Sequence, residues 1–524
     1  MSPEENSARP RGDRDTAPFT RSTASLGNAV KWAYLMNWAE QGVSALVLFF
    51  MAGLLGPRIF GIVTMAMIFL SLLEIFLDQG FSTALIQRKN VDEGHANVAF
   101  WIILATGLTF LLVAWGLAEP WAKLNDTPEV AIVLQVLALR LPINAASRVH
   151  NALILRSMDY RTVALRNSAA VILGGVSGVV SALCGLGVWA LVIQQLVKEI
   201  VGTLLIWRLS AWRPSWAVRV SYAKDLWGFS RANMLARLGV FAGQQGDAVL
   251  VGLYLGPTAV GLYRLATRVV GLGMQLGAQS LQTVSLPALS RSQHDPAAMQ
   301  EVARKLLALS FALTLPVFAL LAAISPALMA ALGQEWSSGG PVLAVLCISG
   351  VFGSFSQFTV PILQAASAPF LAARIIWAQS VTGIFVFLLV AHFFSEMRDD
   401  LQLLAQASAR VVSGACFAVS AAALFALPKV GLGLADLVKL AMPSFAAALT
   451  GVVVCVLAGQ MLSPVLPQIP LLQLVAQAIP GVTVSALVLL LLEPLARSYV
   501  KKVLPNHGRN PDSTTPHGGS HREP

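Results

Sequence analysis

Stretches of about 20 residues with no Asp, Glu, Lys or Arg set the terms on which this chain folds. Ala96 to Ala118, ANVAFWIILATGLTFLLVAWGLA, and Ile375 to Phe394 are two of them, each long enough to cross a hydrocarbon layer of about 30 Å as an α-helix. A helix that is apolar on every side has no face for water and is stable only when protein or lipid surrounds it. The 524 residues are 56% hydrophobic and 12% charged, about half the charged share of a soluble domain. Too little polar surface exists to cover so many apolar runs in water, so the chain reads as an all-α polytopic membrane protein.

The same template applied along the chain predicts about fourteen transmembrane helices, near 29–53, 58–87, 96–118, 130–152, 164–184, 187–207, 226–254, 259–287, 303–330, 341–365, 371–394, 403–426, 437–462 and 471–492. The connections are short. Residues 1–27 and 494–524 are rich in Pro, Ser, Thr, Gly and charge and are expected to be disordered cytoplasmic tails. No cleavable signal peptide is expected, because the first apolar run follows a polar tail and is too long for one. Arg9, Arg11, Arg14, Arg21, Lys31, Arg88, Lys89, Arg156, Arg161, Arg208, Arg213, Arg219 and Lys224 all fall at the same predicted side, whereas the alternate connections hold little more than Arg58, Lys123 and Arg398. The positive-inside rule then puts both termini in the cytoplasm.

That topology accounts for the net charge of +10. No basic run interleaved with aromatics lies outside the predicted spans, so nucleic acid is not an expected partner. Cys184, Cys347, Cys416 and Cys455 stand singly with no C-x-x-C spacing. The chain also lacks a phosphate-binding G-x-x-x-x-G-K-[ST] loop, an H-E-x-x-H pair and a Gly-x-Ser-x-Gly turn. Neither an enzyme nor a cofactor or metal site is expected.

A repeat divides the chain. LLGPRIFGIV at 54–63 and YLGPTAVGLY at 254–263 share Gly-Pro-x-x-x-Gly at an offset of 200, and Ala66 and Ala266, Gln79 and Gln279, and Thr83 and Thr283 follow the same offset. VLQVLAL at 133–139 matches VLAVLCI at 342–348. Proline suits the start of a helix and glycine its end, so each copy is expected in a short outward turn. The halves begin with the same orientation, which makes them parallel repeats about an axis along the membrane normal, a transporter architecture with the path between the halves. The expected division is an N-terminal six-helix lobe (28–209), a cytoplasmic linker (210–225), a C-terminal six-helix lobe (226–426) and an additional helix pair (427–493).

DQGFSTALIQRKN (78–90), GVWALVIQQLV (187–197), WRLSAWRPSW (207–216) and GDAVLVGLYLGPTAVGLYRLATRV (246–269) resemble the Wzx-type polysaccharide transporters, members of the superfamily that also holds the MATE drug exporters and the lipid II flippases. The resemblance spans roughly residues 28–425. It implies a flippase of the cell inner membrane that moves oligosaccharide repeat units on polyprenyl pyrophosphate to the outer leaflet, for exopolysaccharide, capsule or O-antigen biosynthesis. It also implies contact with membrane lipid and handover to a polysaccharide polymerase or export complex. Where the family often has basic residues before the Asp of DAVLVG, this chain has Gln244 and Gln245.

A pyrophosphate-sugar head group needs water, cations and hydrogen-bond donors along its path, and a charge at mid-bilayer costs about 2.5–3.5 kcal/mol on the insertion scale. Polar residues inside the spans are therefore the site candidates. Asn233, Arg237, Gln244 and Asp247 share one face of span seven. Asn37, Gln41 and Ser44 form a matching stripe on span one. The two stripes either face a central cavity or tie the halves together. Arg140, Arg148 and Arg156 follow at intervals of eight in and below span four, and Arg264, Arg268 and Arg374 lie in spans eight and eleven; arginine suits bidentate phosphate contact. Glu40, Glu74, Asp78 and Asp247 either bind a proton or Na⁺ that drives transport or pair with these arginines.

Two other functional classes share some of these features. A MATE-like ion-coupled exporter of small cationic compounds calls for an acidic, aromatic cavity, but membrane arginines here outnumber membrane carboxylates. A membrane glycosyltransferase or polymerase calls for an extended outer loop with catalytic groups, and the outer connections are too short for one.

Overall fold

The computed structural model describes residues 26–77, 80–87, 91–216, 220–276, 281, 285, 288–292, 295–366, 368–462 and 470–492. Among them the regular structure is all helical, with α1 (Leu26–Leu77), α2 (Phe81–Gln87), α3 (Glu93–Leu124), α4 (Glu129–Leu137), α5 (Arg140–Arg156), α6 (Tyr160–Leu183) and α7 (Val188–Leu209) in the first half. The second half is α8 (Val220–Leu276), α9 (Pro296–Ala331), α10 (Gly339–Ala365), α11 (Pro369–Phe393) and α12 (Asp399–Ala421), followed by the pair α13 (Leu434–Leu462) and α14 (Pro470–Leu492).

Among the described residues twelve helical segments are long and apolar enough to cross a membrane, against an expectation of about fourteen helices. The difference lies at the repeat. Predicted spans one and two run together as α1, and seven and eight as α8, each across a break at the motif glycine: Gly56 has φ 70° and Gly256 φ 74°. This left-handed backbone is open to glycine and strained for other residues. The 52 residues of α1 as one straight rod would be about 78 Å long, so the break divides it into two bilayer-length arms, 26–55 and 57–77. The same holds for 220–255 and 257–276 of α8.

Helices α1 to α7 pack mainly on one another, as do α8 to α12, and the two lobes meet chiefly through α1 against α8. Helices α13 and α14 pack together and lie on α9. Close helix approach in the first lobe uses small residues, as expected for membrane packing: the Cβ position of Gly174 points at Gln194 and Lys198 of α7, and that of Gly178 at Gln194.

The two broken helices cross reciprocally. A Cβ at Gly61 would run into the carbonyl of Pro257, with Pro257 C at 2.5 Å and Cα at 2.9 Å, and a Cβ at Gly261 would run into the carbonyl of Pro57, with Pro57 C at 2.7 Å and Cα at 3.1 Å. The proline of each half thus sits on the glycine of the other, the self-complementary contact that a two-fold relation produces. Side chains close the same end of the molecule. Trp336 Nε1 donates to Ala52 O at 2.9 Å, its ring meets Phe60 edge-on at 5.6 Å, Trp121 Nε1 donates to Met65 O at 3.2 Å, and Arg58 pairs with Glu129 at 2.6 Å.

At the opposite end, residues 210–216 follow α7 as a strap docked on α3 and α5. Asn97 Nδ2 donates to Ser215 Oγ at 2.7 Å while its Oδ1 accepts from Ser215 N–H at 2.9 Å, Trp101 Nε1 donates to Ser215 O at 2.9 Å, and the rings of Trp101 and Trp216 stack at 3.9 Å. His150 is fully buried beneath the strap among Trp207, Trp212 and Phe100. The WRLSAWRPSW stretch is therefore an aromatic clamp. The four cysteines are free thiols.

Candidate functional site

Charged side chains within the spans gather mainly in three groups, with Arg166 of α6 apart from them, its Nη1 donating to Asn151 Oδ1 at 3.4 Å. In the first lobe, Arg140 opens α5 and is held between two acids: its Nη2 lies 3.2 Å from Glu74 Oε1 of α1 and 3.1 Å from Glu199 Oε1 of α7. Asn144, one turn along α5, donates from Nδ2 to Glu199 Oε2 at 3.1 Å and accepts at Oδ1 from Arg148 Nε at 2.7 Å. Two guanidinium groups and two carboxylates share this network, so its formal charge cancels. Three helices are tied together by it, which is how charges of this kind tolerate burial. Lys198, adjacent to Glu199, is exposed.

In the second lobe, Asp247 of α8 is buried, accepts from Tyr263 Oη–H at 2.7 Å and forms an ion pair with Arg410 of α12. This charge also cancels. Arg410 was not among the residues singled out from the sequence, although an arginine inside the apolar run 403–426 is the same signal that drew attention to Arg140.

The third group lies where the lobes meet and is not neutralised. Arg264 Nη2 donates to Gln245 Oε1 at 2.6 Å, and Arg268 Nη2 lies 3.5 Å from Gln41 Oε1 of α1, a long contact across the seam. Both partners are amides. Arg264 and Arg268 follow Pro257 by seven and eleven residues, or about 10 and 16 Å along the helix at 1.5 Å per residue, which is well inside a hydrocarbon layer of about 30 Å. Arg268 is exposed and Arg264 partly so.

The remaining candidates are dispersed. Gln244 and Asp247 line a cavity of about 520 Å³ walled by α8, α10, α11 and α12, within the second lobe; Ser44 and Glu40 are half-buried on α1. Arg156 donates to Leu85 O at 2.8 Å and so anchors α2, while Arg374 is exposed on α11. Asp78 and the side chains of Asn37, Asn233 and Arg237 lie outside the described residues. No cluster of three or more His, Cys, Asp or Glu side chains suited to a metal is present among the described residues.

Comparison with known proteins agrees with this architecture. The succinoglycan biosynthesis transport protein ExoT of Rhizobium meliloti is 26% identical over 347 residues, covering 66% of this chain and 70% of that protein. The lipopolysaccharide biosynthesis protein WzxC of Escherichia coli is 22% identical over 350 residues, covering 64% and 69%. Among solved structures, the inward closed conformation of the lipid II flippase MurJ superposes with a TM-score of 0.70 over 90% of this chain and 99% of that one; at 13% identity the likeness speaks to fold. The family described as polysaccharide biosynthesis protein matches residues 50–340, a stretch that takes in the paired breaks, the Arg140 network and the seam arginines, and this multi-pass membrane chain belongs to that family.

Proposed function

We propose that this protein is a flippase of the inner membrane, carrying oligosaccharide repeat units on polyprenyl pyrophosphate from the cytoplasmic to the outer leaflet for surface polysaccharide assembly. The observation that carries the reading is the pair Arg264 and Arg268, whose partners at the lobe seam are amides and whose charge is left for a ligand. Arg140 and Arg410, by contrast, face carboxylates inside the spans, while Arg148 and Arg166, which also have amide partners, lie within the first lobe and away from the seam. A pyrophosphate supplies the missing charge, and guanidinium groups grip it through paired N–H donors. Phosphate binding and the ion pairs are then separate in space: the pairs hold each lobe rigid, and the seam between the rigid lobes receives the pyrophosphate.

Both termini are assigned to the cytoplasm, which puts the Gly56 and Gly256 breaks at the outer face. The contacts of Trp336, Trp121 and the Pro–Gly crossings would then close the path to the outside, and alternating access would require them to part while the lobes rock. The names of ExoT and WzxC, each a transport or polysaccharide biosynthesis protein, support this reading over a drug exporter. A polysaccharide polymerase or export complex is the proposed recipient of the product.

The test is the leaflet distribution of lipid-linked oligosaccharide in cells depleted of the protein. Complete units should accumulate on the cytoplasmic face, and wild type should reverse this while the Arg264→Ala, Arg268→Ala double variant, at equal protein level, restores transport at least about tenfold less well, the loss of a charge-assisted hydrogen bond or two. Normal pools and intact surface polysaccharide after depletion would overturn the proposal.

A further inference from the structure

The cavity inside the second lobe differs from the seam in chemistry. Its wall carries the amides of Gln244, Gln357 and Gln379 and the hydroxyls of Ser349, Ser356 and Ser413, and its one acid, Asp247, is answered by its one base, Arg410. A net-neutral surface dense in both donors and acceptors offers little to an anion or a cation. It suits a ligand that is itself neutral and both donates and accepts, and a sugar hydroxyl does both. Gln357 Oε1 is buried in this wall with no hydrogen-bond partner, an acceptor whose desolvation a ligand hydroxyl would offset.

Size and position agree. About 520 Å³ falls within the roughly 300–1,000 Å³ of pockets that enclose most of a small ligand. The cavity opens along α8 at Val240, Gly243 and Gln244, which are exposed, and the next residue, Gln245, is the amide that holds Arg264. One helix, about 10–12 Å across with its side chains, separates the mouth of the cavity from the seam arginines, a gap that a short glycan attached to a seam-bound phosphate bridges.

We propose that this cavity is a glycan subsite, taking neutral sugar rings of the cargo while the pyrophosphate stays at Arg264 and Arg268. The proposal rests on the flippase reading and adds to it where the sugars sit. In this arrangement the second lobe selects the glycan and the seam selects the phosphate, so lipid carrier alone is bound but poorly discriminated.

Two glycines give a clean test. Gly383 of α11 and Gly414 of α12 line the cavity, and nothing lies within 4 Å of where a Cβ would stand at either. Leucine there fills the cavity and, in a helix, is intrinsically favoured over glycine, so the variants keep the fold. Gly116→Leu on α3, equally open and far from the cavity, is the control. Binding to the purified full chain is measured for two probes: bare polyprenyl pyrophosphate, and the host's polyprenyl-pyrophosphate-linked oligosaccharide.

Wild type and Gly116→Leu should prefer the glycosylated probe by about tenfold or more, the worth of one or two neutral hydrogen bonds. Gly383→Leu and Gly414→Leu should bind the bare probe as wild type does and lose that preference. Retention of the full preference in both leucine variants, or its absence in wild type, overturns the subsite. Failure of wild type to bind either probe instead overturns the flippase reading on which the subsite depends.

Discussion

Replacing Gly61 by alanine sets two known quantities against each other. In a helix, alanine is favoured over glycine by about 1 kcal/mol, so on propensity alone Gly61→Ala would stabilise. The added methyl, however, falls on the carbonyl of Pro257, with that residue's C at 2.5 Å and Cα at 2.9 Å. The obstacle is backbone, so it cannot rotate away as a side chain would. Overpacking costs about 1–3 kcal/mol, and the upper end applies here because α1 and α8 must separate as units. The net expectation is a loss of about 2 kcal/mol. The comparison is Gly116→Ala, where nothing lies within 4 Å and only the propensity gain remains, so the two variants should differ by about 3 kcal/mol. Gly261→Ala should act like Gly61→Ala, with Pro57 C at 2.7 Å. Because one separation of the two breaks relieves both collisions, the double variant should cost less than the sum of the singles. The assay is the fraction of purified protein that stays monodisperse after stepwise heating. Gly61→Ala melting at or above Gly116→Ala would refute the crossing, and strict additivity of the double variant would refute its shared origin.

Two further expectations concern the first lobe. Arg140→Gln leaves Glu74 and Glu199 facing each other without their cation and should destabilise by about 3–5 kcal/mol; adding Glu74→Gln and Glu199→Gln should recover most of the loss in the same melt, and a triple variant no better than the single one would show that the pair is not what the fold relies on. Asn97→Ala removes both hydrogen bonds to Ser215, so amide exchange over 210–216 should quicken while α3 keeps its protection; unchanged exchange would mean that the aromatic rings alone hold the strap.

The apolar runs made the helices legible because length and absence of charge are enough to demand lipid. The offset of 200 between Gly56 and Gly256 likewise marked two equivalent positions, each of which breaks a long helix. It did not reveal that Pro57 rests on Gly261 and Pro257 on Gly61, since an offset states which residues are equivalent and not which are in contact. The helix-face argument placed Gln244 and Asp247 together, and they do line one cavity, but its other walls come from α10, α11 and α12, which no periodicity within α8 could name. Arg140 drew attention as a buried cation; its acids stand 66 positions before it and 59 after it, beyond any local spacing rule. Arg410 carried the same signal and was passed over, because a lone arginine in an apolar run acquires a meaning only when its partner is known.

The reciprocal Pro–Gly crossing also bears on how this chain can change over generations. In a symmetric dimer of identical halves, one substitution would land on both sides of such a contact at once, and a bulky residue would be punished twice. Once the halves share a single chain, the two sides drift independently, and the constraint no longer follows sequence order. Residue 61 answers to residue 257, and residue 261 to residue 57. Among descendants of this chain, paired changes at the crossing should therefore appear at positions about 200 apart and crosswise between the repeats, a pattern that comparing each repeat only with itself would miss.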